Sequence, residues 1–123
     1  MHVVVTAKHV LRVGAPTVVE GASPQFPLVG VFKDDGSTGY FYAVDTHRKD
    51  QAILEALQIY NVSNVTDRVK ASSVEIGWSR DGLKAALRIN GATHAIYDFA
   101  SSKGYGRLEH GNKIESVAIE LFP

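Results

Sequence analysis

Two closely spaced hairpin turns constrain this chain more than any other feature. Asp81-Gly82 and Asn90-Gly91 are dipeptides that tolerate positive φ at the central positions of a type I′ turn, and each lies between apolar runs. With a two-residue loop at each, the first turn pairs Trp78 with Ala85, Ile76 with Leu87 and Val74 with Ile89. The second pairs Ile89 with Ala92, Leu87 with His94, Ala85 with Ile96 and Leu83 with Asp98. Directly paired residues share a face. One face then carries Val74, Ile76, Trp78, Leu83, Ala85, Leu87, Ile89, Ala92 and Ile96. The other carries Glu75, Lys84, Arg88, Thr93 and Tyr97, with a row of small residues, Gly77, Ala86 and Ala95. A one-residue slip would send a strand's apolar set to the wrong side, so the two turns support one register. That register sets Glu75 opposite Arg88, a favourable cross-strand pair.

A chain of 123 residues is expected to form one domain spanning 1–123. That length buries roughly two-thirds of the unfolded surface, enough for a core without staples. The absence of cysteine rules out disulfides, thiolate metal sites and thiol nucleophiles within the chain. Thirteen basic residues balance thirteen acidic ones, whereas a dedicated nucleic-acid binder normally shows a basic excess. The first residues, MHVVVTAKHVLRVG, lack the apolar centre of a signal peptide, and no apolar run approaches a bilayer span. The expectation is a cytoplasmic protein that contacts neither membrane nor nucleic acid directly.

Short β-type runs dominate the rest. Val3 to Val5, His9 to Val13 and Thr17 to Glu20 read as strands, and Gly21 to Pro27 as a loop broken by two prolines. Leu28 to Lys33 and Gly39 to Asp45 form a hairpin around Asp34 to Thr38. Ile53, Ala56, Leu57 and Tyr60 recur at i, i+3, i+4 and i+7, which predicts the main helix, with Asp50 as its N-cap. Asn61 to Ser72 is a polar connector, Ala100 to Gly106 a loop, and Ile114 to Leu121 a last strand. Strands on both sides of a single helix imply an α+β domain, a twisted and mostly antiparallel sheet with one main helix packed on it.

No catalytic motif stands out. The five histidines show neither H-x-H nor H-x-x-x-H spacing, so no metal site is expected, and no cofactor motif is present. His94 and Asp98 intrude on the apolar face, but lie about 13 Å apart at strand spacing and cannot touch. Either could serve as an acid or base with a partner from another segment. The structural reading is a hydrogen-bonded core histidine and an edge aspartate. Asp34 and Asp35 begin the hairpin loop, and Tyr40 and Tyr42 share one face of the strand that follows. Aspartate is an ordinary turn residue. Beside tyrosines it also makes a rim suited to protein recognition, because tyrosine offers large contact area at low entropic cost.

The stretches VFKDDGSTGYFYAVD, ILEALQIYNVSNVTDR and VEIGWSRDGLKAALRINGATHAIYDF, in that order, resemble a family of small uncharacterised bacterial proteins. Small stand-alone proteins of this sort are often immunity proteins, which neutralise a toxin delivered by a neighbouring cell. The resemblance therefore implies a cytosolic binding protein with a cognate toxin domain, such as a nuclease, as its partner. Asp34, Asp35, Tyr40 and Tyr42 are the expected contact residues, with no catalytic residues. Two alternatives stand beside it. One is a small-molecule enzyme using His94 with a distant acid or hydroxyl, which a pocket around a perturbed His94 would favour. The other is a structural subunit that forms a homo-oligomer through its last strand.

Overall fold

The computed structural model describes all 123 residues, Met1–Pro123. Nine strands run in chain order: β1 Val4–Leu11, β2 Thr17–Ala22, β3 Leu28–Asp34, β4 Thr38–Asp45, β5 Ile53–Asn61, β6 Ser72–Trp78, β7 Lys84–Ile89, β8 Ala92–Asp98 and β9 Lys103–Gly106. Short helical turns over Arg107–His110 and Gly111–Lys113 lead into a C-terminal helix, Ile114–Leu121. The strands form two antiparallel sheets, one ordered β1-β6-β7-β8-β9 and the other β2-β3-β4-β5. The architecture is α+β and mostly sheet, with one helix of any length. No helix is long and apolar enough to cross a membrane.

The sheets face each other across a single core. The five-stranded sheet contributes Leu11, Val74, Ile76, Trp78, Ala85, Leu87, Ile89 and Ala95, and the four-stranded sheet contributes Val19, Leu28, Phe32, Phe41 and Ile59. Trp78 is fully buried, and its Nε1–H donates to the Gly21 carbonyl at 3.1 Å, so the indole leaves no polar atom stranded between the sheets. A second cluster lies on the outer face of the five-stranded sheet. There Ile114, Ala118 and Phe122 cover Ala86 and Ile96.

The hairpin register predicted for β6 and β7 is the one observed, from Val74 opposite Ile89 to Trp78 opposite Ala85. Its loop differs in form. Ser79 N–H donates to Lys84 O at 2.9 Å, and only Gly82 has positive φ, so the connection is four residues long around the same centre. The Asn90-Gly91 turn has the expected type I′ backbone, with φ of 52° and 80°. Ile89 opposite Ala92 and Arg88 opposite Thr93 follow from it.

Beyond Thr93 the expected register fails. Leu87 pairs with Ala95 instead of His94, and Ala85 with Tyr97 instead of Ile96. His94 is the extra residue of a β-bulge, which exchanges the faces of everything after it. Ala95 therefore enters the inter-sheet core, while Ile96 turns outward to the C-terminal helix. Asp98 lies opposite Lys84 rather than Leu83.

The main helix is also not where periodicity put it. Residues 53–60 lie in β5, and Asp50 sits in the exposed connection before it. Two bulges, which leave Leu54 and Ile59 without opposite partners, break the two-residue alternation of β5 and imitate a helical stripe. Ile114–Leu121 is helix rather than a last strand. Its apolar residues Ile114, Val117, Ala118 and Leu121 recur at i, i+3, i+4 and i+7, the same pattern that misled at β5. Ala100 to Gly106 is only partly loop, because β9 occupies Lys103–Gly106.

Candidate functional site

The hairpin β3–β4 places the predicted contact residues, but not all on the surface. Asp34 is 1% exposed. Its Oδ2 accepts from Gly14 N–H at 2.7 Å and from Tyr60 Oη at 2.6 Å, and its Oδ1 accepts from Gly36 N–H at 2.8 Å. Burial and then the Asp34 carboxylate raise the Tyr60 hydroxyl far above its ordinary pKa. Asp34 is thus a buried tie between the hairpin, β5 and the loop after β1, and presents no carboxylate to a partner. Asp35 is exposed, and its Oδ1 accepts from Ser37 and Thr38 N–H, each at 2.9 Å. Those backbone donors, Ser37 first, hold its carboxyl below the usual range.

Tyr40 and Tyr42 lie side by side on the outer face of the four-stranded sheet, stacked with ring centroids 5.8 Å apart. Register shows what surrounds them. One row across the sheet reads Glu20, Val31, Tyr42, Ala56. The rows on either side read Val18, Lys33, Tyr40, Gln58 and Ala22, Val29, Val44, Ile53. Glu20, Lys33 and Gln58 are the only charged or amide side chains among them. Val18 and Ile53 are each 57% exposed. The apolar character of this outward face is also why β5 carries hydrophobic residues on both sides. The bulges that helped hide β5 leave no local signal, so this face could not be assembled from sequence.

His94 belongs to a different place. It lines a cavity of about 490 Å³ at the end of the sandwich where β1 stops, β6 starts and the Asn90 turn lies. Leu11, Val13 and Ile89 give the cavity apolar walls, and Asp67 and Lys70 of the connector give it charge. Burial, then the nearby Arg107 charge, lowers the His94 pKa from 6.5 to about 4, with Glu115 opposing. The imidazole is therefore neutral at pH 7. The bulge that puts it there is held from outside. Glu115 Oε2 accepts from Thr93 N–H at 3.0 Å, and Arg107 Nε–H donates to Thr93 O at 2.7 Å. Asp98 is 8% exposed and caps its own turn, accepting from Ala100 N–H at 3.0 Å. The structure does not bring it to His94 as a chemical pair. No group of three or more His, Asp or Glu residues gathers where a metal could be held.

Residues 11–118 match the family described as an uncharacterized protein conserved in bacteria, DUF2251. The chain belongs to that family. An uncharacterized protein of Haemophilus influenzae is similar to this DUF2251 chain, 42% identical over 101 residues. The match covers 81% of the chain and 63% of the relative, so the chain spans less than two-thirds of the length of that protein. No solved structure matches. The DUF2251 match includes every strand, with β1 represented only by its last residue, together with both the tyrosine face and the His94 cavity.

Proposed function

We propose that this DUF2251 chain is a protein-binding module, and that its partner is a toxin domain which it neutralises by occlusion. The observation that carries the reading is the uncovered apolar face of the four-stranded sheet, centred on the stacked Tyr40 and Tyr42. Contiguous apolar surface with a polar rim marks interaction sites in soluble proteins. Tyrosine is also among the residues that dominate interface energetics. Asp35, exposed in the loop that joins β3 to β4, adds a carboxylate that would complement a basic partner such as a nuclease. Asp34 drops out of the contact set because its carboxylate is fully occupied inside the protein.

The test is co-expression with the product of the adjacent open reading frame, read as growth protection and as a purified complex. Tyr42→Ala should raise the off-rate by about thirtyfold, the ratio for a hot spot of roughly 2 kcal/mol. Charge reversal at Asp35 should lower the on-rate and its salt dependence. Absence of both protection and complex refutes the reading. Protection that survives the Tyr40, Tyr42 and Asp35 substitutions keeps the function and removes the site.

The His94 cavity favours a second reading, an enzyme acting on a small molecule. A neutral imidazole in a cleft is a candidate base, and Thr66, Asp67 and Ser72 line the same cavity as distant partners. Turnover lost in His94→Gln with the fold intact would support it.

A further inference from the structure

The connector between β5 and β6 sets an aspartate and a lysine at one cavity, and neither is paired within the protein. Asp67 and Lys70 stand across a tight turn, where Lys70 N–H donates to Asp67 O at 3.1 Å, and both line the His94 cavity. The ion pairs in the protein are Lys8–Glu75, Arg48–Asp45, Lys84–Asp81, Arg88–Glu75 and Arg107–Glu115. Asp67 and Lys70 take part in none of them. The rest of the wall mixes apolar residues, Val13, Val65 and Ile89, with polar ones, Ser72 and Asn90. Ile89, 9% exposed, reaches the cavity from the inter-sheet core, and the fully buried Leu11 backs that wall without offering accessible surface. The His94 ring, which also lines the cavity, makes no hydrogen bond within the protein. A volume of about 490 Å³ lies in the range of small-molecule sites.

We propose that this cavity binds a small zwitterion with an apolar body, the chemistry of an apolar α-amino acid. Its carboxylate faces Lys70, its ammonium faces Asp67, and its side chain rests on Val13, Val65 and Ile89. A ligand with one charge would satisfy one wall and leave the opposite charge unmatched or repelled. A ligand with no apolar body would leave the floor wet. The neutral imidazole of His94 can donate to the carboxylate or accept from the ammonium without adding charge. The site shares no residue with the tyrosine face, and it holds whether or not a reaction follows binding.

The experiment is a titration of the isotope-labelled full chain, followed by NMR, with three probes: phenylalanine, phenylpropionate and phenylethylamine. They share a ring and differ in charge. Phenylalanine should shift the amides of Leu11 and Ile89 and the ring signals of His94 saturably. It should bind up to about fivefold more tightly than either analogue, the scale of one exposed charge contact. Lys70→Gln should reduce phenylalanine to the level of phenylethylamine, and Asp67→Asn should reduce it to the level of phenylpropionate. Both side chains are exposed, so the fold tolerates these changes. No saturable shift from phenylalanine overturns the proposal. So does an analogue that binds equally well, or a preference for phenylalanine that survives both substitutions. Binding without a toxin partner removes the docking reading alone, and the enzyme reading stands or falls on the His94→Gln turnover assay.

Discussion

At the scale of single residues, the polar groups that looked most available are the ones most committed. Asp34 reads as a turn residue with a free carboxylate, yet three donors converge on it. Tyr60→Phe removes one of them and leaves a buried acceptor short of a partner. It should cost about 1–3 kcal/mol, measured by urea denaturation, and an unchanged midpoint would show that the bond contributes nothing. His94 gives a pH signature. Folding holds its pKa near 4 against an ordinary 6.5, so on acidification the unfolded chain takes up the proton first. Its contribution is complete above pH 6.5 and is lost as pH falls from 6.5 toward 4. His94→Gln should flatten that part of the stability profile. An NMR titration placing the ring near 6.5 in the folded protein would contradict the burial that causes the shift.

At the scale of elements, turns and bulges decide which side of a strand is inside. Gly91 sits at φ of 80° with nothing within 4 Å of the place a Cβ would occupy. Gly91→Val therefore meets no clash and should cost backbone strain alone, more than about 1 kcal/mol. A denaturant midpoint equal to wild type would mean the turn relaxes freely. The bulge at His94 is the opposite case. No glycine or proline marks it, and what holds it is remote. The C-terminal helix brings Glu115 to the Thr93 N–H, and the preceding helical turn brings Arg107 to the Thr93 carbonyl. These backbone groups fall where the ladder is interrupted, and a buried backbone group without a partner is costly. Partial burial works against ionising Glu115. Hydrogen bonding from Thr93 and the Arg107 charge outweigh it and keep the carboxyl below its usual range.

At the scale of the whole molecule, three layers leave one face uncovered. The helix takes the outer face of the five-stranded sheet, the two sheets share the core, and the tyrosine face remains. The core depends on its largest member. Trp78→Ala should cost roughly 3–5 kcal/mol, as buried large aromatics do. Iodide should quench the native indole fluorescence poorly, and ready quenching would refute the two-sheet packing. The two candidate sites occupy different parts of this frame and share no residue.

The chain by itself determined what adjacent residues can enforce. Asn90-Gly91 admits positive φ where few dipeptides do, and two facing apolar strands admit one register, so β6, β7 and the start of β8 were legible, as was the hairpin β3–β4. The Glu75–Arg88 pair and the burial of Trp78 followed from that register. Tertiary structure decided the rest. Ile53 to Tyr60 has a helical stripe and becomes a strand, because both of its faces border apolar neighbours in the four-stranded sheet. Ile114 to Leu121 has the same stripe and stays a helix, because it has one sheet face to cover. Periodicity records which residues prefer burial and not against what. The bulge at His94, the burial of Asp34 and the cavity that Asp67, Lys70 and His94 line together all depend on segments distant in sequence, so no local pattern could announce them.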